Sequence, residues 1–137
     1  MYGHPAWMFV SLALAFTAFR AGLALRRARQ GRAAPGAPPR GVLLRRHLGR
    51  SKPAVVMLAI GFGAGPLATW ALLDRAPFRT VHALLGGLAL GLFVAAAVTG
   101  RRLEHGLGRA YDTHGAIALA ALLAAAAAAV AGFVLLP

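Results

Sequence analysis

Water cannot be the solvent along most of this chain. Four segments of mainly apolar residues, about 5–25, 53–73, 81–99 and 115–136, follow one another with short breaks. A helix needs roughly 20 such residues to cross about 30 Å of hydrocarbon. Only Arg20 interrupts the first segment. Lipid offers no hydrogen bonds, so each span must satisfy its own backbone, and helix is the form that does so here. The spans take up most of residues 1–137, leaving one integral membrane domain and no room for a soluble one. The expected architecture is all-α: a four-helix membrane bundle running up-down-up-down.

Charge then gives the orientation. Charged residues are 13% of the chain, against about 25% in soluble domains, yet the net charge is +12. A nucleic-acid binder would spread its cations over a solvated face. Here they sit between apolar blocks, so nucleic acid is excluded as a partner. Nine cations, Arg26 to Lys52, fall in the first connection, and Arg101, Arg102 and Arg109 fall in the third. Only Arg75 and Arg79 fall in the second. The positive-inside rule places the first and third connections in the cytoplasm and both termini outside. Residues 26–52 read as a cytoplasmic linker, rich in glycine and proline around Gly31, Pro35, Gly36, Pro38 and Pro39. Within it, Gly41 to Leu48 also has the composition of an early start to the second span. Tyr2, Trp7, Trp70 and Phe78 cluster at the outer span ends as interfacial anchors. No internal repeat is evident on a pass along the sequence.

Ionisable residues in or beside spans are costly and are functional candidates by default. Four of the five histidines mark the start of a span, one per helix: His4, His47, His82 and His114. His4 and His82 enter from outside, and His47 and His114 from the cytoplasm. In a bundle with short connections, sequential helices are neighbours, so helices one and three are diagonal, as are two and four. Each leaflet therefore receives one diagonal pair. Two facing imidazoles suit the axial positions of a six-coordinate haem iron. Arg79 outside, and Arg46, Arg101, Arg102 or Arg109 inside, are cations available to propionates. His105, beside Glu104, reads as a solvent-exposed loop residue.

The residues around these histidines carry a resemblance. One histidine on each of four helices, at intervals of 43, 35 and 32 residues, resembles the cytochrome b561 and ferric-reductase-like membrane families. The segments HPAWM at His4, RRHLG at His47 and FRTVHALLGG at His82 are similar to a smaller set of bacterial four-helix proteins, the domain-of-unknown-function family 4079. The resemblance covers nearly the whole chain. It implies a bacterial inner-membrane protein holding one or two b haems and passing electrons across the bilayer. It further implies a quinone or a redox protein as partner.

Other chemistry is poorly served. The chain has no cysteine, which removes disulfides, thiolate metal sites and covalent haem attachment. Its three acids, Asp74, Glu104 and Asp112, all lie outside the apolar spans, so no hydrolytic or acid–base site can be assembled. For the same reason a proton- or cation-coupled transporter fits badly. Gly61/Gly65 and Gly87/Gly91 have the GxxxG spacing of close helix packing. Pro66 removes a mid-span hydrogen bond from the second helix. Arg20 can snorkel to the cytoplasmic surface. The competing reading is a non-catalytic membrane subunit of a larger photosynthetic or respiratory complex, bare or holding a chlorophyll-type pigment.

Overall fold

The computed structural model describes residues 3–74, 76 and 78–134, the side chain of Leu73 aside. Tyr2, Arg75 and the expected end of the fourth span, residues 135–136, lie outside them. The described residues form four helices: α1 Gly3–Arg29, α2 Arg40–Leu73, α3 Val81–Glu104 and α4 Tyr111–Phe133. Each is long and apolar enough to cross a bilayer. The fold is an all-α four-helix membrane bundle, as the apolar blocks predict.

The helices run further toward the basic end than the apolar pattern suggests. The linker expected over 26–52 shrinks to residues 30–39, because α1 continues to Arg29 and α2 starts at Arg40. Arginine is a good helix former, and its long stem can reach outward, so charge alone does not end these helices. Backbone geometry ends them. Gly31, with φ +68°, closes α1: Arg32 N–H donates to Arg27 O at 2.9 Å, a Schellman turn. Pro39 precedes α2, and Val42 and Leu43 N–H donate back to its carbonyl. Arg101 and Arg102 likewise belong to the last turn of α3, and Gly106 (φ +71°) closes that helix. At the opposite end Thr80 caps α3, its hydroxyl accepting from Ala83 N–H at 3.1 Å.

Two hairpins make the bundle. α1 packs along α2, and α3 along α4; the hairpins meet more sparsely where α2 faces α3 and α1 faces α4. At the basic end both of these seams are tied by side chains. Lys52 of α2 pairs with Glu104 of α3 at 2.8 Å, and Arg26 of α1 pairs with Asp112 of α4 at 2.9 Å. Arg29 lies 4.0 Å over the Tyr111 ring.

The core is small-residue packing. Ser11, Ala15 and Ala18 of α1 are buried, as are Ala54 and Leu58 of α2, Ala89, Phe93 and Ala96 of α3, and Ala121, Ala125 and Ala128 of α4. The large apolar side chains point out: Phe9, Ile60, Leu84, Leu119 and Val130 are all exposed. A soluble protein would invert this order. In lipid, which is as apolar as leucine, small residues let helices approach and gain contacts that the bilayer cannot supply. Leu58 and Phe93 are exceptions that fill the middle of the buried cluster, and Leu25 and Leu43 are two more, buried near the basic end. Polar groups inside the spans are answered locally, as when buried Ser11 donates to Trp7 O at 2.7 Å.

The packing gives a direct test. Ala121 is fully buried within the core cluster. Ala121→Leu should lower unfolding stability in detergent by about 1–3 kcal/mol through overpacking. Leu119→Ala, on the outer face of the same helix, should stay within about 0.5 kcal/mol. Equal effects of the two would remove the basis for this core.

Candidate functional site

The histidines meet in two pairs, one at each end of the bundle. His4 of α1 faces His82 of α3, with ring centres 6.4 Å apart and planes at 89°. His47 of α2 faces His114 of α4, at 6.2 Å and 83°. Both pairs join diagonal helices across the space between the hairpins. His47, which precedes its apolar run, comes level with His114 because α2 begins at Arg40, two turns earlier. His105 is an exposed C-cap of α3 and takes no part.

Hydrogen bonds orient the rings. His47 Nδ1 lies 2.9 Å from Ala18 O, and His82 Nδ1 lies 2.8 Å from Ala128 O. A carbonyl oxygen can only accept, so in both rings Nδ1 carries the proton and Nε2 keeps its lone pair. His114 Nδ1 lies 3.1 Å from Thr99 Oγ1. That hydroxyl donates to the carbonyls of Ala95 (2.9 Å) and Ala96 (3.1 Å), so it accepts from the ring. In three of the four rings the proton is therefore placed on Nδ1 and Nε2 is left with a free lone pair.

A glycine on the neighbouring helix makes room for every ring. A Cβ at Gly132 would lie 2.6 Å from His82 Nδ1; one at Gly100, 3.0 Å from His114 Cε1; one at Gly22, 3.1 Å from His47 Cε1; one at Gly65, 3.5 Å from His4 Cε1. The reason is local. A helical carbonyl at position i bonds to the N–H at i+4, so the side chain at i+4 flanks it. Gly22 stands four residues after Ala18 and Gly132 four after Ala128, the two carbonyls that accept from histidine. Gly100 stands four after Ala96. Gly61 opens the carbonyl of Met57 in the same way, and Trp7 Nε1 donates to it at 2.8 Å.

These positions disclose a repeat that no pass along the chain made evident. Each histidine precedes its helix's glycine by 18 residues: His4/Gly22, His47/Gly65, His82/Gly100 and His114/Gly132. Eighteen residues are five helical turns, about 27 Å. Histidine and glycine thus share one face at opposite ends. Between them lie buried small residues at +7 (Ser11, Ala54, Ala89, Ala121) and at +14 (Ala18, Gly61, Ala96, Ala128). Position +11 is also buried in all four helices: Ala15, Leu58, Phe93 and Ala125. Since neighbours are antiparallel, the histidine of one helix lands on the glycine of the next. The result is two equivalent cells, His4, His82, Gly65 and Gly132 at one end, His47, His114, Gly22 and Gly100 at the basic end.

The remaining sequence candidates divide. Gly61/Gly65 is a packing face as expected, turned to Trp7, Met8 and His4 of α1. Gly87/Gly91 is not: a Cβ at Gly91 would meet open space, and one at Gly87 only the Phe78 ring at 3.7 Å. Arg46 adjoins His47, Arg101 and Arg102 follow Gly100, and Arg79 stands three residues before His82; all four are exposed. No protein-family model, curated protein or solved structure matches this chain.

Each cell offers two imidazoles and no other donor of this kind among the described residues. Among the described residues no three His, Asp or Glu side chains converge on a point. Two imidazoles per cell leave a bare metal ion short of ligands, whereas a tetrapyrrole brings four of its own. Such a group would be held between His4 and His82 at one end and between His47 and His114 at the other, whose ring centres stand 6.4 and 6.2 Å apart. The glycine clearances set an order of sensitivity. Gly132→Ala should disturb its histidine pair most, Gly22→Ala and Gly100→Ala less, and Gly65→Ala least. Imidazole NMR shifts of His82, His47, His114 and His4 report it, and a large shift only in Gly65→Ala would contradict the geometry.

Proposed function

We propose that the protein is a membrane b-type cytochrome that carries electrons across the bilayer through two bis-histidine haem centres. The observation that supports this most is the pair of facing imidazoles in each of two equivalent cells. The proposal agrees with the cytochrome b561-like resemblance. His4 and His82 would hold one group near the outer surface, and His47 and His114 the other near the cytoplasm. Haem, when bound, supplies a one-electron iron couple at each end.

The chain's own residues do the rest. The Ala18 and Ala128 carbonyls and the Thr99 hydroxyl accept the Nδ1–H hydrogen bonds, which leaves Nε2 free and raises its basicity. Glycine opposite each ring lets the imidazole pack against its neighbour helix. Leu58 and Phe93 separate the two cells and keep water out of the middle. Arg79 outside, and Arg46, Arg101 and Arg102 inside, neutralise carboxylates at the membrane surface. A quinone in the bilayer or a redox protein at the surface completes the circuit. A pigment-binding subunit of a larger complex is the competing use of the same cells. Two axial imidazoles suit six-coordinate iron better than a singly ligated magnesium.

An absorption spectrum of the purified protein, made with haem available, tests the proposal. A Soret band and a low-spin signal from two centres are expected. His82→Ala should abolish one centre and His47→Ala the other. A colourless protein that folds normally would reject it. The orientation has its own test, because the chain lacks cysteine. A single cysteine replacing Ala37 should react only with a reagent admitted to the cytoplasmic side.

A further inference from the structure

One basic cluster is left over from the two cells. An open cavity of about 370 Å³ lies at the end of α1, lined by Leu23, Arg26, Arg27, Gln30 and Arg32. Its walls come from two sources. Arg27 projects from the last turn of α1, and Gln30 follows that helix directly. Arg32 is brought back beside them by the Gly31 turn, whose hydrogen bond joins Arg32 N–H to Arg27 O. Arg26, though it also lines the cavity, is already paired with Asp112 of α4, and Arg29 lies over Tyr111 of the same helix.

The cluster continues into the membrane. Phe9, Phe16, Arg20, Leu23 and Arg27 follow one another at seven-, four-, three- and four-residue steps, a single stripe on a 3.6-residue helix. The stripe lies opposite buried Ser11, Ala18 and Leu25, and Phe9, Phe16, Arg20 and Arg27 on it are exposed. It is therefore apolar along its inner length and cationic over its last turns.

No acid of this chain can answer those cations. There are three: Asp74 belongs to the opposite end, Glu104 is paired with Lys52, and Asp112 with Arg26. The counter-charge must come from outside, and it must meet a surface that begins as hydrocarbon. An acidic protein would complement only the exposed arginines. A lipid complements the whole stripe. We infer that the α1 stripe and its terminal cavity form a binding site for an anionic phospholipid. Its phosphate lies among Arg20, Arg27 and Arg32, and an acyl chain lies along Phe16 and Phe9. This assigns Arg20 a partner, and it is independent of whether the histidines hold haem.

Native mass spectrometry of the full chain in mild detergent tests the site. The probes are dioleoyl-phosphatidylglycerol and dioleoyl-phosphatidylcholine. Wild type should retain the anionic lipid through conditions that strip the zwitterionic one. The triple variant Arg20→Gln, Arg27→Gln, Arg32→Gln should bind it at least about tenfold more weakly, since cations at a membrane surface each strengthen anionic-lipid binding severalfold. The triple variant Arg40→Gln, Arg45→Gln, Arg50→Gln removes equal charge from the same end of the bundle and should bind like wild type. Circular dichroism of both variants confirms helical content. Equal loss in the two variants would reduce the effect to bulk charge and overturn the site. So would equal retention of phosphatidylcholine. Displacement by millimolar inorganic phosphate would make the ligand a free anion, and displacement by a co-purifying acidic protein would make it a protein surface; either overturns the lipid.

Discussion

The structure depends on a notch that glycine cuts beside a helical carbonyl. In a helix every carbonyl already accepts one bond, yet its second lone pair is hidden by the side chain four residues on. Removing that side chain exposes the lone pair to a neighbouring helix. The chain does this with Gly22 and Gly132 for His47 and His82 and with Gly61 for Trp7. Gly100 gives His114 the same room, though there Thr99 relays the bond. Inside a bilayer such bonds are the main directional contacts available, because apolar burial does not distinguish a helix from lipid. The ring that reaches into the notch fixes both the depth and the rotation of its own helix. Two reciprocal contacts, one at each end, define each hairpin.

That reciprocity requires histidine and glycine to stand a whole number of turns apart. Eighteen residues give five turns with almost no angular drift, and the distance nearly matches the hydrocarbon thickness. The buried positions at +7, +11 and +14 are what a single face must carry between those two ends. The four helices are thus versions of one element, alternately inverted. Their differences are confined to what the register leaves free. Position +11 holds alanine in α1 and α4 but Leu58 and Phe93 in α2 and α3, so the centre is filled from the second and third helices.

Much of this was legible in the amino-acid sequence, and the rest was hidden for physical reasons. The spans are visible because a bilayer imposes length and polarity without regard to detail. The histidine pairs follow from assigning each helix end, which needs only the basic connections and the alternation of direction. The glycines were not legible as site residues. Each acts on a different helix from its own, at the end remote from its own histidine, so nothing adjacent in sequence marks it. The repeat was masked by unequal connections: histidine intervals of 43, 35 and 32 residues share no period, although the intervals within helices are identical. The early start of α2 was legible in the composition of Gly41 to Leu48, and Arg45, Arg46 and Arg50 there are compatible with helix although hydropathy alone reads them as loop.

The two cells are equivalent in design and unequal in support. At the basic end both rings have a hydrogen-bond acceptor, and Lys52–Glu104 and Arg26–Asp112 tie the hairpins together close by. At the other end His82 is anchored, while His4, one residue into α1 and exposed, has no acceptor among the described residues, and its glycine clearance is the loosest of the four. An imidazole whose Nδ1–H is bonded to a carbonyl is a more basic ligand than a free ring, and stronger donation would stabilise the oxidised form of a metal centre held there. Two haems in these cells would therefore feel different ligand fields from one repeated element. The asymmetry originates in a single missing contact at His4, opposing an excess of arginines around the basic cell that favours the reduced form there.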